Sequence, residues 1–268
     1  MYSSSKEPGK YLLIAFGWMW LLNLPRVLAF FNVISIPDWL SAILGYTAVF
    51  GPAIAAFLLT QARAGKEGTR KLWGKGWRID FNRRWLVPAG LLMPVSGGVT
   101  VLILVILRKP IFWEYSLPPA MIVPIGLVIW LLGAYPEEFG WRGFALPRLL
   151  EQHNQLASSL ILGVVWAAWH LPLFYIEGTT QTAIPFWQYM LQLLQLSVIY
   201  TWLYEGTGGS VFAASLFHAS GNLTGALLPY WVTNTGRWVS FVILLIPVFF
   251  IIYNWLQKGT STVDYQTE

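Results

Sequence analysis

Apolar runs of roughly 20 residues, the length that crosses the hydrocarbon core of a bilayer, recur along the chain, separated by short polar stretches. They fall at 11–31, 39–60, 86–107, 118–136, 156–175, 186–204, 211–232 and 238–256. The pattern predicts an all-α fold, a polytopic transmembrane helical bundle of about eight spans. Segments 186–204 and 211–232 are joined by the glycine-rich turn EGTGGS. No internal repeat or low-complexity linker interrupts the series, so a single domain over 1–268 is the economical reading. The first run follows Lys6 and Lys10 with no small-residue cleavage site after it, and is read as a retained helix rather than a removed leader.

Composition supports lipid as the solvent. Of 268 residues, 56% are hydrophobic and only 11% charged, against about 25% charged in ordinary soluble domains. The 16 Trp and 12 Tyr suit the membrane–water interface. The absence of cysteine excludes disulfides and thiolate ligands, leaving His, Glu, Asp or Asn to hold any metal.

The longest polar stretch, 61–85, holds eight Lys/Arg against two acids. Basic loops stay in the cytoplasm. With eight spans, both termini and the loops 61–85 and 136–155 are then cytoplasmic, carrying 13 of the 17 basic residues. Arg108, Lys109 and Arg237 fall outside, and Arg26 lies within the first span. The net charge of +5 is thus explained by topology rather than by nucleic acid, and membrane lipid is the expected surrounding. Recruitment of an anionic lipid or substrate is the competing use of the basic loop.

Ionisable groups within spans are costly and mark function by default. Glu137 and Glu138 end the run 118–136, His170 lies inside 156–175, and His218 and Asn222 lie near the start of 211–232. His153, in a loop, is expected to be solvated. His218 and Asn222 are four apart and share a helical face; Glu138 and Arg142 have favourable ion-pair spacing. Glu137, rotated about 100° from Glu138, is left as the free carboxylate and the expected general base. Each group also has a structural reading: His170 bridging helices, His218 with Asn222 as a polar clamp, Glu138–Arg142 closing a helix end. Convergence of two His, an Asn and a Glu from three spans on the cytoplasmic half would suit water activation and oxyanion stabilisation, or a metal such as zinc. A proton-coupled transporter and a noncatalytic membrane partner of immunity type are the alternatives. By these boundaries His170 sits about 21 Å along its span at 1.5 Å per residue, deeper than Glu137 or His218.

EExxxR (Glu137, Glu138, Arg142), then Trp166 and His170 in WAAWHLPLF, then HxxxN (His218, Asn222), in this order on successive spans, resembles the CPBP family, the CAAX prenyl protease and bacteriocin-processing intramembrane endopeptidases, also called ABI. The flanks GWRGFALPRL and SLFHASGN are similar to those of bacterial members, and the likeness covers about 130–225. Trp166 stands where the family more often has Phe and keeps an aromatic wall. The resemblance implies a multi-pass protein of a bacterial cell membrane that hydrolyses a peptide bond of a membrane-associated peptide, a prenylated CAAX-type tail or a leader, near the cytoplasmic face. It implies Glu137 and His170 as the water-activating pair, His218 and Asn222 as the oxyanion site, and Glu138 with Arg142 as structural support. Glu137, His170 and His218 are the side chains that would ligate a zinc ion, if a metal is used at all; the sequence holds no HExxH motif.

Overall fold

The computed structural model describes residues 7–257; Lys6 and Lys258 lie outside them. Eleven α-helices follow one another with no strand among the described residues: α1 Glu7–Phe30, α2 Asp38–Ala48, α3 Gly51–Gly76, α4 Leu86–Ile106, α5 Ile122–Val128, α6 Tyr135–Gly140, α7 Leu146–Leu150, α8 Gln155–Trp169, α9 Phe186–Gly206, α10 Val211–Leu227 and α11 Asn234–Gln257. The chain is a multi-pass membrane protein. Five segments are long and apolar enough to cross a bilayer, and α2 with α3, bent by 43° at their junction, make a sixth. The other two expected spans are α9, which carries three glutamines, and α10, which has 17 residues. Both pack inside the bundle, α9 along α8 and α10 along α4. A helix screened from lipid by its neighbours has less need of an unbroken apolar surface.

Local chemistry accounts for the helix starts that frame the site. Asn154 Oδ1 accepts from the Ala157 amide at 2.8 Å to cap α8, and Ser210 Oγ accepts from the Ala213 amide at 3.1 Å to cap α10. Gly208 and Gly209, at φ of 62° and 86°, make the turn before α10 in a conformation that side chains resist. Some polar side chains pair between helices: Ser159 donates to Thr201 at 2.8 Å across α8 and α9. Arg26, in α1, donates to Asn23 at 2.8 Å and to Ser41 of α2 at 3.1 Å.

One boundary differs from expectation. The run 118–136 does not end at Pro136; Ile122–Leu150 is one helical segment in which α5, α6 and α7 are joined by π-helical turns at Ile129–Ala134 and Trp141–Ala145. Pro136 stands in the first turn after the wider π stretch, where a missing N–H is tolerated. Glu137, Glu138 and Arg142 are therefore inside the bundle, not in a loop 136–155 at its lip. His170 lies inside the span Gln155–Tyr175, close to the expected 156–175. It caps the C-terminus of α8, and Leu171–Tyr175, with Pro172 at its start, is a separate 3₁₀ turn.

Candidate active site

The α6 turn, bracketed by the two π-helical turns, carries both glutamates into the core: Glu138 is fully buried and Glu137 nearly so. Such bulges redirect side chains by one position and recur at functional sites. Glu138 Oε1 accepts from Arg142 Nη1 at 3.0 Å, as the i,i+4 spacing predicted, and also from His218 Nδ1 of α10 at 2.8 Å. The second bond spans 80 residues of sequence. Arg142 is itself fully buried, its guanidinium 3.6 Å from the centre of the Tyr200 ring and 4.6 Å from that of Trp166. Two aromatic faces thus solvate a cation that lipid would not.

Glu137 points elsewhere, as expected. One of its carboxylate oxygens accepts the indole N–H of Trp166 at 2.9 Å. The backbone carbonyl of the same Trp166 lies 2.8 Å from His170 Nδ1. A carbonyl only accepts, so Nδ1 carries the His170 proton and Nε2 is left as an acceptor. Trp166 is therefore more than a wall: it holds the carboxylate with its side chain and the imidazole with its main chain. His218 is oriented the same way, with Nδ1 turned to Glu138 and Nε2 the free ring atom.

Glu137, Trp166, His170, His218 and Asn222 all line one cavity of about 740 Å³. Asn222 is exposed within it, and Tyr189, whose ring is 5.5 Å from that of His170, closes one side. Nothing in the sequence singles out Tyr189 or Tyr200, because aromatic residues are abundant throughout this chain. His153 is exposed and away from the cavity. The cavity is built from the ends of helices opposite the basic stretch. Its exposed lining residues Glu114, Tyr115, Pro118 and Thr180 belong to the connections α4–α5 and α8–α9.

Residues 119–224 match the family model of the type II CAAX prenyl endopeptidases, Rce1-like. The family resemblance drawn from the three motifs is borne out. Over 139 residues the chain is 30% identical to CAAX prenyl protease 2 of Methanococcus maripaludis, an overlap of 49% of this chain and 50% of that protein. The chain thus spans about half the length of the curated relative it matches. The segment that matches this family model runs from just before α5 to within α10 and contains each of the motif residues.

Among the described residues no group of three His, Asp or Glu stands close enough to hold a metal ion. Glu137 is bonded to Trp166, and the Nδ1 atoms of both histidines are taken by Trp166 and Glu138. What these side chains leave free toward the cavity, a carboxylate oxygen and two imidazole Nε2 atoms, suits the handling of water and its protons.

Proposed function

We propose that this protein is an intramembrane endopeptidase that hydrolyses a peptide bond of a membrane-associated peptide, using water activated by Glu137 and His170. The observation that carries the reading is the convergence of Glu137, His170, His218 and Asn222 on one cavity, with the first two tied to a single residue, Trp166. The name of the Methanococcus maripaludis relative, CAAX prenyl protease 2, supports the same reaction class and makes a prenylated CAAX-type peptide the first substrate to try.

In this mechanism a water between Glu137 and His170 Nε2 gives up a proton as its oxygen attacks the scissile carbonyl carbon. Charge then develops on the carbonyl oxygen, where the Asn222 amide and a protonated His218 donate to it. Collapse of the tetrahedral intermediate breaks the C–N bond, and the proton held by the Glu137–His170 pair passes to the leaving nitrogen. Glu138 contacts no reacting atom in this scheme; it sets the ring of His218. The Trp166 indole fixes which oxygen of Glu137 is free to face water.

The test is cleavage of a farnesylated CAAX peptide by the detergent-purified protein, comparing wild type with Glu137→Ala and His218→Ala, with and without a chelator. Cleavage is expected from wild type, lost in both variants and retained with chelator. Cleavage that survives Glu137→Ala at the wild-type rate removes the assignment of the base.

A further inference from the structure

We infer that Glu114 is a specificity-determining residue of the cavity. It reads a basic residue of the bound peptide near the bond that is cut, so the preferred substrate is a membrane-associated peptide carrying Lys or Arg beside its lipidated end. The word substrate rests on the protease reading above; the recognition itself rests on the charges and the anchoring of the cavity mouth.

The cavity is one-sided in charge. Its lining holds two carboxyl groups, Glu137 at the catalytic depth and Glu114 at the exposed rim, and among the described residues no lysine or arginine. Arg142 is the cation next to the catalytic glutamates, but it is fully buried, paired with Glu138 at 3.0 Å and covered by the rings of Tyr200 and Trp166. It is engaged before any peptide arrives. Of the basic residues in the adjoining connections, Arg237 donates to the Trp231 carbonyl and to Gln188, both at 2.9 Å. Arg108 and Lys109 lie outside the lining. A peptide entering here therefore meets carboxylates with no compensating cation. Such a surface attracts basic segments and repels acidic ones.

The rim carboxylate is also held in place. Glu114 is the middle residue of a 3₁₀ turn, Trp113–Tyr115, and the chain just after it is fastened to the end of α10. The Leu117 amide donates to the Ala226 carbonyl at 2.7 Å and Ser116 Oγ to the Leu227 carbonyl at 3.1 Å. The Tyr115 ring meets that of Trp231 edge-on, with centroids 6.4 Å apart. Because α10 also bears His218 and Asn222, the rim and the catalytic groups share one support. Ala226 stands about one helical turn beyond Asn222, and Glu114 three residues before Leu117. Glu114 is thus within roughly 20 Å of Asn222, the reach of about six extended residues. A CAAX-type peptide has only a short tail after its prenylated cysteine, so a basic run within that reach falls before the cysteine. Glu7, Glu67, Asp80 and Glu138 are each paired with an arginine. Glu114 is exposed and its carboxylate makes no hydrogen bond or ion pair among the described residues.

The test uses farnesylated, fluorescein-labelled CAAX peptides that differ only in the residues just before the cysteine, all Lys, all Ser or all Glu. Their binding to the detergent-purified protein is read by fluorescence anisotropy. At low salt the Lys peptide is expected to bind roughly five- to tenfold more tightly than the Glu peptide, the scale of an exposed ion pair set against a like-charge contact. Added salt should shrink the difference. In Glu114→Gln the difference should fall below about twofold, with the affinity of the Ser peptide unchanged. Glu177→Gln, exposed on the α8–α9 connection but outside the lining, should keep the wild-type preference. Equal affinities in wild type, no binding of any peptide, a preference intact in Glu114→Gln, or one lost equally in Glu177→Gln each overturn the assignment. Affinity is read apart from cleavage, so the two readings fail separately. Charge-selective binding without cleavage removes the endopeptidase and keeps the role of Glu114; cleavage of all the peptides with equal affinity does the reverse.

Discussion

Trp166 is the residue on which the site's geometry turns. Its indole N–H holds Glu137 and its carbonyl holds His170, so the relative placement of the two groups proposed to activate water passes through one side chain and its own backbone. Trp166→Phe keeps an aromatic ring against Tyr200 and His218 and removes the indole N–H together with the smaller ring of the bicycle. Hydrogen bonds to charged groups are worth about 1.5–3 kcal/mol, so turnover of a cleaved peptide should fall by roughly 10- to 100-fold. Because the lost bond orients a reacting group rather than binding substrate, the fall should appear in kcat with KM unchanged. A rise in KM alone would mean that Trp166 is only a wall. At this scale the sequence was informative: the order and spacing of Glu137, His170, His218 and Asn222 singled out four side chains that line one cavity. What it hid was the long-range partner of each, such as Glu138 for His218. No local periodicity encodes a bond across 80 residues.

The Ile122–Leu150 segment acts as a unit, and its glutamate-bearing turn depends on two close approaches. The first is the Glu138–Arg142 pair, both side chains fully buried. Removing one partner of such a pair strands the other, at a cost of about 3–5 kcal/mol. Arg142→Met is therefore expected to lower the thermal midpoint in detergent sharply, and Glu138→Gln combined with Arg142→Met less than the single change, since no lone charge then remains. Equal loss in the double variant would show that the aromatic faces of Tyr200 and Trp166, not the carboxylate, hold the cation's place. The second approach is Gly140 on α3. A β-carbon built at Gly140 would collide with the side chain and backbone of Pro52, so Gly140→Ala forces the helices apart and should destabilise by about 1–3 kcal/mol. A change in unfolding midpoint within error would place the helices further apart than they are here. Hydropathy could not show this element as it is. Glu137, Glu138 and Arg142 look like the start of a loop because charges normally end a span, and their mutual neutralisation with His218 is visible only once α10 packs beside them. The π-helical turns that admit Pro136 likewise leave no mark on a 3.6-residue period.

At the scale of the whole molecule, the outer surface shows which solvent the fold was built for. Of the most apolar windows of Glu7–Phe30 and Asn234–Gln257, only 17% and 22% are buried inside the bundle, so the remainder must be covered by something outside it. Ile246 tests that cover. It lies at the middle of α11 and is 59% exposed. On a water-facing surface, replacing such a residue by arginine changes stability by no more than about 0.5 kcal/mol. At the centre of a lipid-facing helix the same charge costs about 2.5–3.5 kcal/mol on insertion scales. Ile246→Arg should therefore cut the fraction of α11 that inserts, read by glycosylation or protease protection of a C-terminal reporter. The same substitution at Leu256, also exposed but at the end of the helix, should be tolerated, because arginine there reaches the headgroups. If both variants insert like wild type, α11 does not face hydrocarbon at its centre, and the chain lies differently in the bilayer from the bundle described.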